Sequence, residues 1–413
     1  MIQTEQDEAF YEEVLKNYFG DPTTKVRSVK QERATAKGEN FLSDMLRIGV
    51  ELTRNSSTQD DAGCRICERR SFISKHEPVG DSRLVKMVQE QQLFTVELSI
   101  LKNVLPRIET ALGIRLGPKL VYGRDEPPRV IIMEDLTPEG FHVKDRQEGL
   151  SMAHATMAIK NLARFHAGSV ALAEENPAAI RHFRQGIFDS TTHPNFYTLA
   201  INSLIRLREN AQTWLDEDCI LAAKKLKNVI GSLKQRIQDV YKYDPEEFCV
   251  LNHGDAWVNN MLFVEDRSGK PIEQVFVRIL LVDYQMVGYS SPAIDLLYFL
   301  GINPALKIRG PGETELLETY LETLTLNMKR LRCRTESPTM EHLKEAMYRR
   351  RVYAVVSGLF LLPRMMLDKE EIESMDQLLK DGTFRTNAYA KPNTIRMMKR
   401  ILPLMNERGY LDA

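Results

Sequence analysis

The sequence predicts an α+β protein of two lobes, a small β-rich lobe over residues 1–135 and a larger helical lobe over 136–413. Three observations predict it. Alternating polar and apolar positions mark strands through much of the first 135 residues. Apolar residues at helical spacing take over after Glu134-Asp135-Leu136. A single strand-like insert, from Cys249 to about Val287, interrupts that helical texture. A length of 413 residues allows two or three domains at roughly 150 residues each, and the change of texture near 136 favours two.

The N-terminus, MIQTEQDEAFYEEVLKNYFG, is acidic and helical in pattern, and lacks the basic start and apolar core of a secretory signal. Lys25–Lys37 and Met45–Arg54 alternate around the turn-prone Gly38-Glu39-Asn40, a hairpin pattern. A polar stretch, Asn55–Arg70, precedes a short strand, Ser71–Lys75, stopped by Pro78 and Gly80. Leu84–Leu112 reads as one long amphipathic helix with Leu93, Val96, Ile100 and Val104 on a stripe. Strands follow at Leu120–Tyr122 and Val130–Met133. In the second lobe, Ala155, Ile159, Leu162 and His166 share a helix face, and helical patterns cover Asn195–Tyr243 and most of Gly312–Leu404.

Composition narrows the function. Fifty-six basic residues against 57 acidic ones leave a net charge of −1, which supplies no electrostatic attraction toward nucleic acid or an anionic membrane. The longest apolar stretch, Val352–Leu362, is far short of the roughly 20 residues a membrane span needs, so a buried helix is expected. Five scattered cysteines fit reduced thiols in a cytoplasmic protein better than a disulfide framework. Cys64-Arg65-Ile66-Cys67 has half of a zinc site's spacing, with no second pair to complete it.

The chemistry concentrates in Asn252-His253-Gly254-Asp255-Ala256-Trp257-Val258-Asn259-Asn260 and, after a second apolar strand, Asp283-Tyr284-Gln285. Asp255 follows one strand and Asp283 ends another that can pair alongside, with Asn260 five residues after the first carboxylate. One carboxylate to orient a hydroxyl, and an amide with a second carboxylate to hold Mg²⁺, is the equipment of phosphoryl transfer from ATP. Magnesium binds a few oxygen ligands and keeps waters, so Asn260 and Asp283 suffice beside phosphate oxygens. A lone His-Gly-Asp is as commonly a turn; the set, with Lys75 upstream, is far more specific.

HGDAWVNNMLF followed by LLVDYQ resembles the catalytic and metal loops of the protein-kinase-like small-molecule phosphotransferases, which include aminoglycoside and choline kinases. It is more closely similar to the ecdysteroid kinase-like family, and the resemblance covers nearly the whole chain. Ser71–Lys75 matches that family's lysine strand, Phe94–Glu97 its first-helix glutamate, Ile131–Leu136 its hinge, Leu162–Ala167 a lobe helix and Ser291–Leu296 the segment after the metal aspartate. The resemblance implies a bilobal kinase-like fold with Mg-ATP between the lobes. By position, Asp255 orients the hydroxyl proton, while Asn260 and Asp283 bind Mg²⁺. Lys75 holds the α- and β-phosphates with Glu97 pairing its ammonium. Asn40 and Ser43 cover the phosphates in place of a three-glycine loop, and Glu134 and Leu136 line the nucleotide side of the hinge. Asp295 braces the catalytic loop, and His253 is structural.

The substrate implied is a hydroxyl on a small molecule, an ecdysteroid-like steroid or a lipophilic foreign alcohol. Choline or ethanolamine phosphorylation, or ligand binding without catalysis, are the alternatives. From residue 301 onward, 19 basic and 15 acidic residues give +4, unlike a site for polycationic aminoglycosides. Only two tryptophans are available for an aromatic cage around choline. A protein kinase is disfavoured by the long helical stretch before the catalytic loop and by the lack of an Ala-Pro-Glu segment after Asp283. His154 and His166 are expected as core histidines, Trp257 as an anchor of its loop, and Arg349-Arg350-Arg351 as a solvated or ion-paired face.

Overall fold

The computed structural model describes residues 7–34, 43–55, 65–184, 186–188, 191–272 and 279–412. The chain divides into two units, residues 1–80 with 118–139, and residues 81–117 with 140–413. The last of the three crossings follows Glu139, where the sequence suggested 135/136. Residues 81–117, expected in the small lobe, group instead with the larger unit, because their helices pack on its helices.

The smaller unit opens with α1 (Glu8–Phe19), capped by the Asp7 side chain and closed by Gly20 in the left-handed region. Five antiparallel strands follow: β1 (Lys25–Arg33), β2 (Asp44–Asn55), β3 (Arg65–His76), β4 (Leu120–Arg124) and β5 (Val130–Glu134). They are ordered β1-β2-β3-β5-β4. Alternation on β2 sends Ile48, Val50 and Leu52 to one face, where Tyr11 and Leu15 of α1 cover them together with Phe72, Val130 and Ile132. The turn expected at Gly38–Asn40 lies outside the described residues.

β3 begins six residues earlier than its apolar core suggests. Its first half pairs with β2 from Arg65↔Asn55 onward, through residues that alternate charge instead of apolarity. Cross-strand pairs Arg54–Glu68 and Arg69–Glu51 support that polar half. An apolar-periodicity reading misses such a segment.

The larger unit begins with α2 (Arg83–Glu90), α3 (Leu93–Ser99), a π-helical turn over Ile100–Val104, and α4 (Leu105–Leu112). The single helix expected there is broken at Gln92, which adopts φ 51° without any glycine or proline to announce it. Then come α5 (Met152–Glu175), α6 (Pro177–Ile180), α7 (Pro194–Ala211) and α8 (Glu217–Val240). The insert forms two small antiparallel pairs, β6 (Val250–Asn252) with β9 (Gly288–Ser290), and β7 (Met261–Phe263) with β8 (Ile279–Leu281). The unit closes with α9 (Ala293–Ile302), α10 (Pro311–Arg330), α11 (Met340–Arg349), α12 (Arg351–Val355), a π-helical turn over Val356–Leu361, α13 (Leu362–Met365), α14 (Met375–Asp381) and α15 (Pro392–Glu407).

The apolar stretch Val352–Leu362 is a buried helix, and no helix among the described residues is long and apolar enough to cross a membrane. Arg350 of the basic run makes a bidentate pair with Glu247 at 2.8 and 2.6 Å, and it also donates to the Val240 carbonyl.

Candidate active site

Strand β6 delivers the chain into a tight loop, His253–Trp257, whose backbone is held by the side chains of Asp295, Asn260 and Asn303. Asp295, fully buried in the first turn of α9, accepts hydrogen bonds from the backbone N–H groups of His253 (2.6 Å) and Gly254 (2.9 Å). Its Oδ2 also receives His166 Nε2 at 3.0 Å, and His166 Nδ1 meets the Tyr320 hydroxyl at 2.8 Å. The Asn252 side chain ties β6 to the carbonyls of Gly288 and Ser290 on β9, and its Oδ1 accepts the N–H of Asp295. Asp295 thus braces the loop, as its place in the sequence suggests.

His253 is fully buried. Its Nδ1 accepts the N–H of Asp255 at 3.3 Å, so the ring proton resides on Nε2 and goes to the Val282 carbonyl at 3.1 Å. Burial holds its pKa below the ordinary histidine value, which keeps this neutral tautomer. Gly254 has φ +80°, and a Cβ there would sit 2.0 Å from the Met286 carbonyl oxygen. Only glycine fits the close approach.

Asp255 follows, half-buried, with both carboxylate oxygens engaged. The Tyr298 hydroxyl donates to Oδ1. Asn260 Nδ2 donates to Oδ2 at 2.9 Å, and to the Asp255 carbonyl at the same distance. Asn303 holds the next carbonyl, that of Ala256, at 2.7 Å. Trp257 is buried beside it, consistent with anchoring.

Pairing of β7 with β8 sets Met261 opposite Leu281, and the Val282 N–H then donates to the Asn260 carbonyl at 3.1 Å. Asn260 and Asp283 therefore flank the same end of one small hairpin. Asp283 takes a left-handed conformation (φ 66°, ψ 64°) that stops β8. Such a conformation is uncommon outside glycine, and best tolerated by Asp and Asn. An amide oxygen and a carboxylate at one hairpin end are hard donors of the type Mg²⁺ prefers, with the remaining positions left to water and phosphate. Among the described residues no group of three or more His, Cys, Asp or Glu side chains could hold a metal ion alone.

Of the remaining predicted residues, Glu97 lies on α3 of the larger unit, 1% exposed, whereas Glu90 at the end of α2 is exposed. Lys75, Ser43, Glu134 and Leu136 belong to the smaller unit. Lys75 is on the central strand β3, 2% exposed, paired with Met45 and Ile131. Ser43 is half-buried immediately before β2, and Leu136 is buried. The Glu134 carboxylate accepts from the Tyr18 hydroxyl (2.9 Å) and the Lys119 N–H (3.2 Å). Beside it Asp135 receives Ser71, Arg47 and the Thr137 N–H. Burial alone would raise the Asp135 pKa, but these donors bring it below the usual carboxylate range. Asn40 lies outside the described residues.

Sequence reasoning missed Tyr298, Asn303, Tyr320 and the role of His166. One signal for Tyr298 was present: it sits three residues after Asp295, and positions i and i+3 share a helix face.

The model of the ecdysteroid kinase-like family matches residues 37–333 of this chain. A solved choline kinase from Cryptosporidium parvum Iowa II aligns with 12% identity over 96% of each chain and a TM-score of 0.42. An aminoglycoside-3'-phosphotransferase of type VIII aligns with 13% identity over 83% of this chain and 98% of its own, with a TM-score of 0.30. No curated protein sequence matches significantly.

Proposed function

Since the chain belongs to the ecdysteroid kinase-like family, we propose that it is a small-molecule kinase moving the γ-phosphoryl group of ATP to an alcohol. The family description supports a steroid or other lipophilic hydroxyl compound as the acceptor. The observation that carries the reading is the Asp255 carboxylate, held between the Tyr298 hydroxyl and the Asn260 amide, with Asn260 hydrogen-bonded across the hairpin to the residue before Asp283.

In this reading Asp255 accepts the proton of the acceptor hydroxyl at a carboxylate oxygen as that hydroxyl oxygen attacks the γ-phosphorus and ADP leaves. Phosphoryl transfer asks the protein for position and charge stabilisation, with little covalent work. A loop whose backbone is braced by a buried carboxylate meets that requirement, since little reorganisation remains when the acceptor arrives. Asn260 and Asp283 would hold Mg²⁺, which when bound neutralises charge on the phosphate oxygens. Lys75, Glu97, Asn40, Ser43, Glu134 and Leu136 are assigned to the nucleotide from their sequence correspondence alone.

Calorimetric titration with Mg-ATP, followed by transfer from labelled ATP to ecdysone, choline, kanamycin and simple alcohols, tests the proposal. Binding of Mg-ATP and transfer to a lipophilic alcohol are expected, with Asp255→Ala lowering transfer about 10²- to 10⁴-fold. Absence of nucleotide binding would sink the kinase reading, and undiminished transfer by Asp255→Ala would remove the assigned base.

A further inference from the structure

The carboxylate of Asp255 has a second, unassigned support. Tyr298, 1% exposed on α9, donates its phenol proton to Asp255 Oδ1. Its ring lies stacked on that of Tyr353 from α12, with centroids 6.1 Å apart and an interplanar angle of 26°. The Tyr353 hydroxyl in turn accepts from Tyr241, at the C-terminal end of α8, at 2.9 Å. Three helices thus place tyrosines in a row behind one carboxylate.

A buried tyrosine needs a partner for its hydroxyl, and here the partner is the carboxylate assigned as proton acceptor. A carboxylate on a loop turns about χ1 and χ2 unless both oxygens are held. Asn260 Nδ2 holds Oδ2 and leaves its own Oδ1 for Mg²⁺, whereas Tyr298 holds the other oxygen, Oδ1.

We propose that Tyr298 is a positioning residue, clamped by Tyr353, that holds Asp255 Oδ1 and so presents Oδ2 as the oxygen that takes the acceptor's proton. The inference rests on the assignment of Asp255 as proton acceptor. Burial raises the Tyr298 pKa well above the ordinary tyrosine value, so the residue remains a neutral donor.

Tyr298→Phe removes the donor and keeps the stacked ring. Transfer from labelled ATP to ecdysone and hydrolysis of Mg-ATP without acceptor are measured beside wild type and Asp255→Asn. Crystal structures of wild type and Tyr298→Phe with Mg²⁺ and a non-hydrolysable ATP analogue are compared in parallel. The expected result is a kcat roughly tenfold lower, KM and calorimetric Kd for Mg-ATP within twofold of wild type, and Asp255 spread over more than one rotamer. If Asp255→Asn abolishes transfer while Tyr298→Phe keeps full kcat, the positioning role is overturned and the base stands. Undiminished transfer in Asp255→Asn overturns the base and this inference with it. The crystallographic arm is independent of turnover: Asp255 unmoved in a single rotamer in Tyr298→Phe overturns the inference.

Discussion

Replacing Asp295 by Asn is the sharpest perturbation of the loop, because it changes one atom and leaves shape intact. In the native protein Oδ2 accepts from the His253 N–H and His166 Nε2, and Oδ1 accepts from the Gly254 N–H. All of this is fully buried. An asparagine has one acceptor oxygen. In its better orientation that oxygen takes the Oδ2 position and serves two donors, leaving the Gly254 N–H facing an NH₂ group. A buried donor without an acceptor costs about 1–3 kcal/mol, and bonds to a charged acceptor lose strength when the charge is removed. The combined loss is about 2–4 kcal/mol, or roughly 3–6 °C in Tm for a unit of this size. Catalysis should suffer as well: the N–H group released, that of Gly254, sets the backbone directly before Asp255, and displacement of a reacting group by about 1 Å costs on the order of 10²-fold. Thermal unfolding and steady-state transfer kinetics would be compared with wild type. A Tm within 1 °C and an unchanged kcat would show that the loop is held by something other than this carboxylate.

Gly254→Ala forces a left-handed alanine and a Cβ against the Met286 carbonyl; a loss of about 2–5 kcal/mol is expected, and wild-type urea resistance would contradict the close approach. Asp283→Ala should raise the Mg²⁺ concentration for half-maximal transfer more than tenfold, and it should also lose about 1–2 kcal/mol of stability in urea because an alanine there must keep the left-handed backbone; unchanged Mg²⁺ dependence excludes Asp283 as a ligand. A third expectation concerns Glu265, which accepts from Lys144, His142 and His154. Burial acts to raise its pKa, but these donors outweigh it and bring it down to about 2. The unfolded carboxylate takes up its proton first as pH falls, so this stabilisation is present above about pH 4.5 and is lost between there and about pH 2. Wild type should therefore lose more stability between pH 5 and 3 than Glu265→Gln, measured by urea midpoints; parallel losses would remove the network from the account.

Legibility in the sequence followed the range of the interactions. Strands β1 and β2 were readable because one face of the sheet is more buried than the other, which writes a period of two into the residues, and β5 was readable as a short continuous apolar run buried on both faces. The first half of β3 was not, since its pairing is carried by charges that any solvated loop could also contain. The break before α3 was hidden for a different reason: Gln92 adopts a strained backbone that packing imposes and composition does not mark.

The same division runs through the site. Asp255, Asn260 and Asp283 were singled out as candidates from spacing, because one loop and one hairpin carry them and short connections restrict where they can go. Tyr298 escaped because all ten residues of α9 are buried, so no periodicity separates a functional face from a packing face. His166, Asp295 and Tyr320 lie far apart in the chain and meet only through α5, α9 and α10. The order of residues alone singled out the candidate groups for the chemistry, since side-chain identity and local spacing are properties of contiguous chain. Which buried donors hold those groups still was decided by packing, because a buried hydrogen bond exists only where separate elements bring donor and acceptor together out of water.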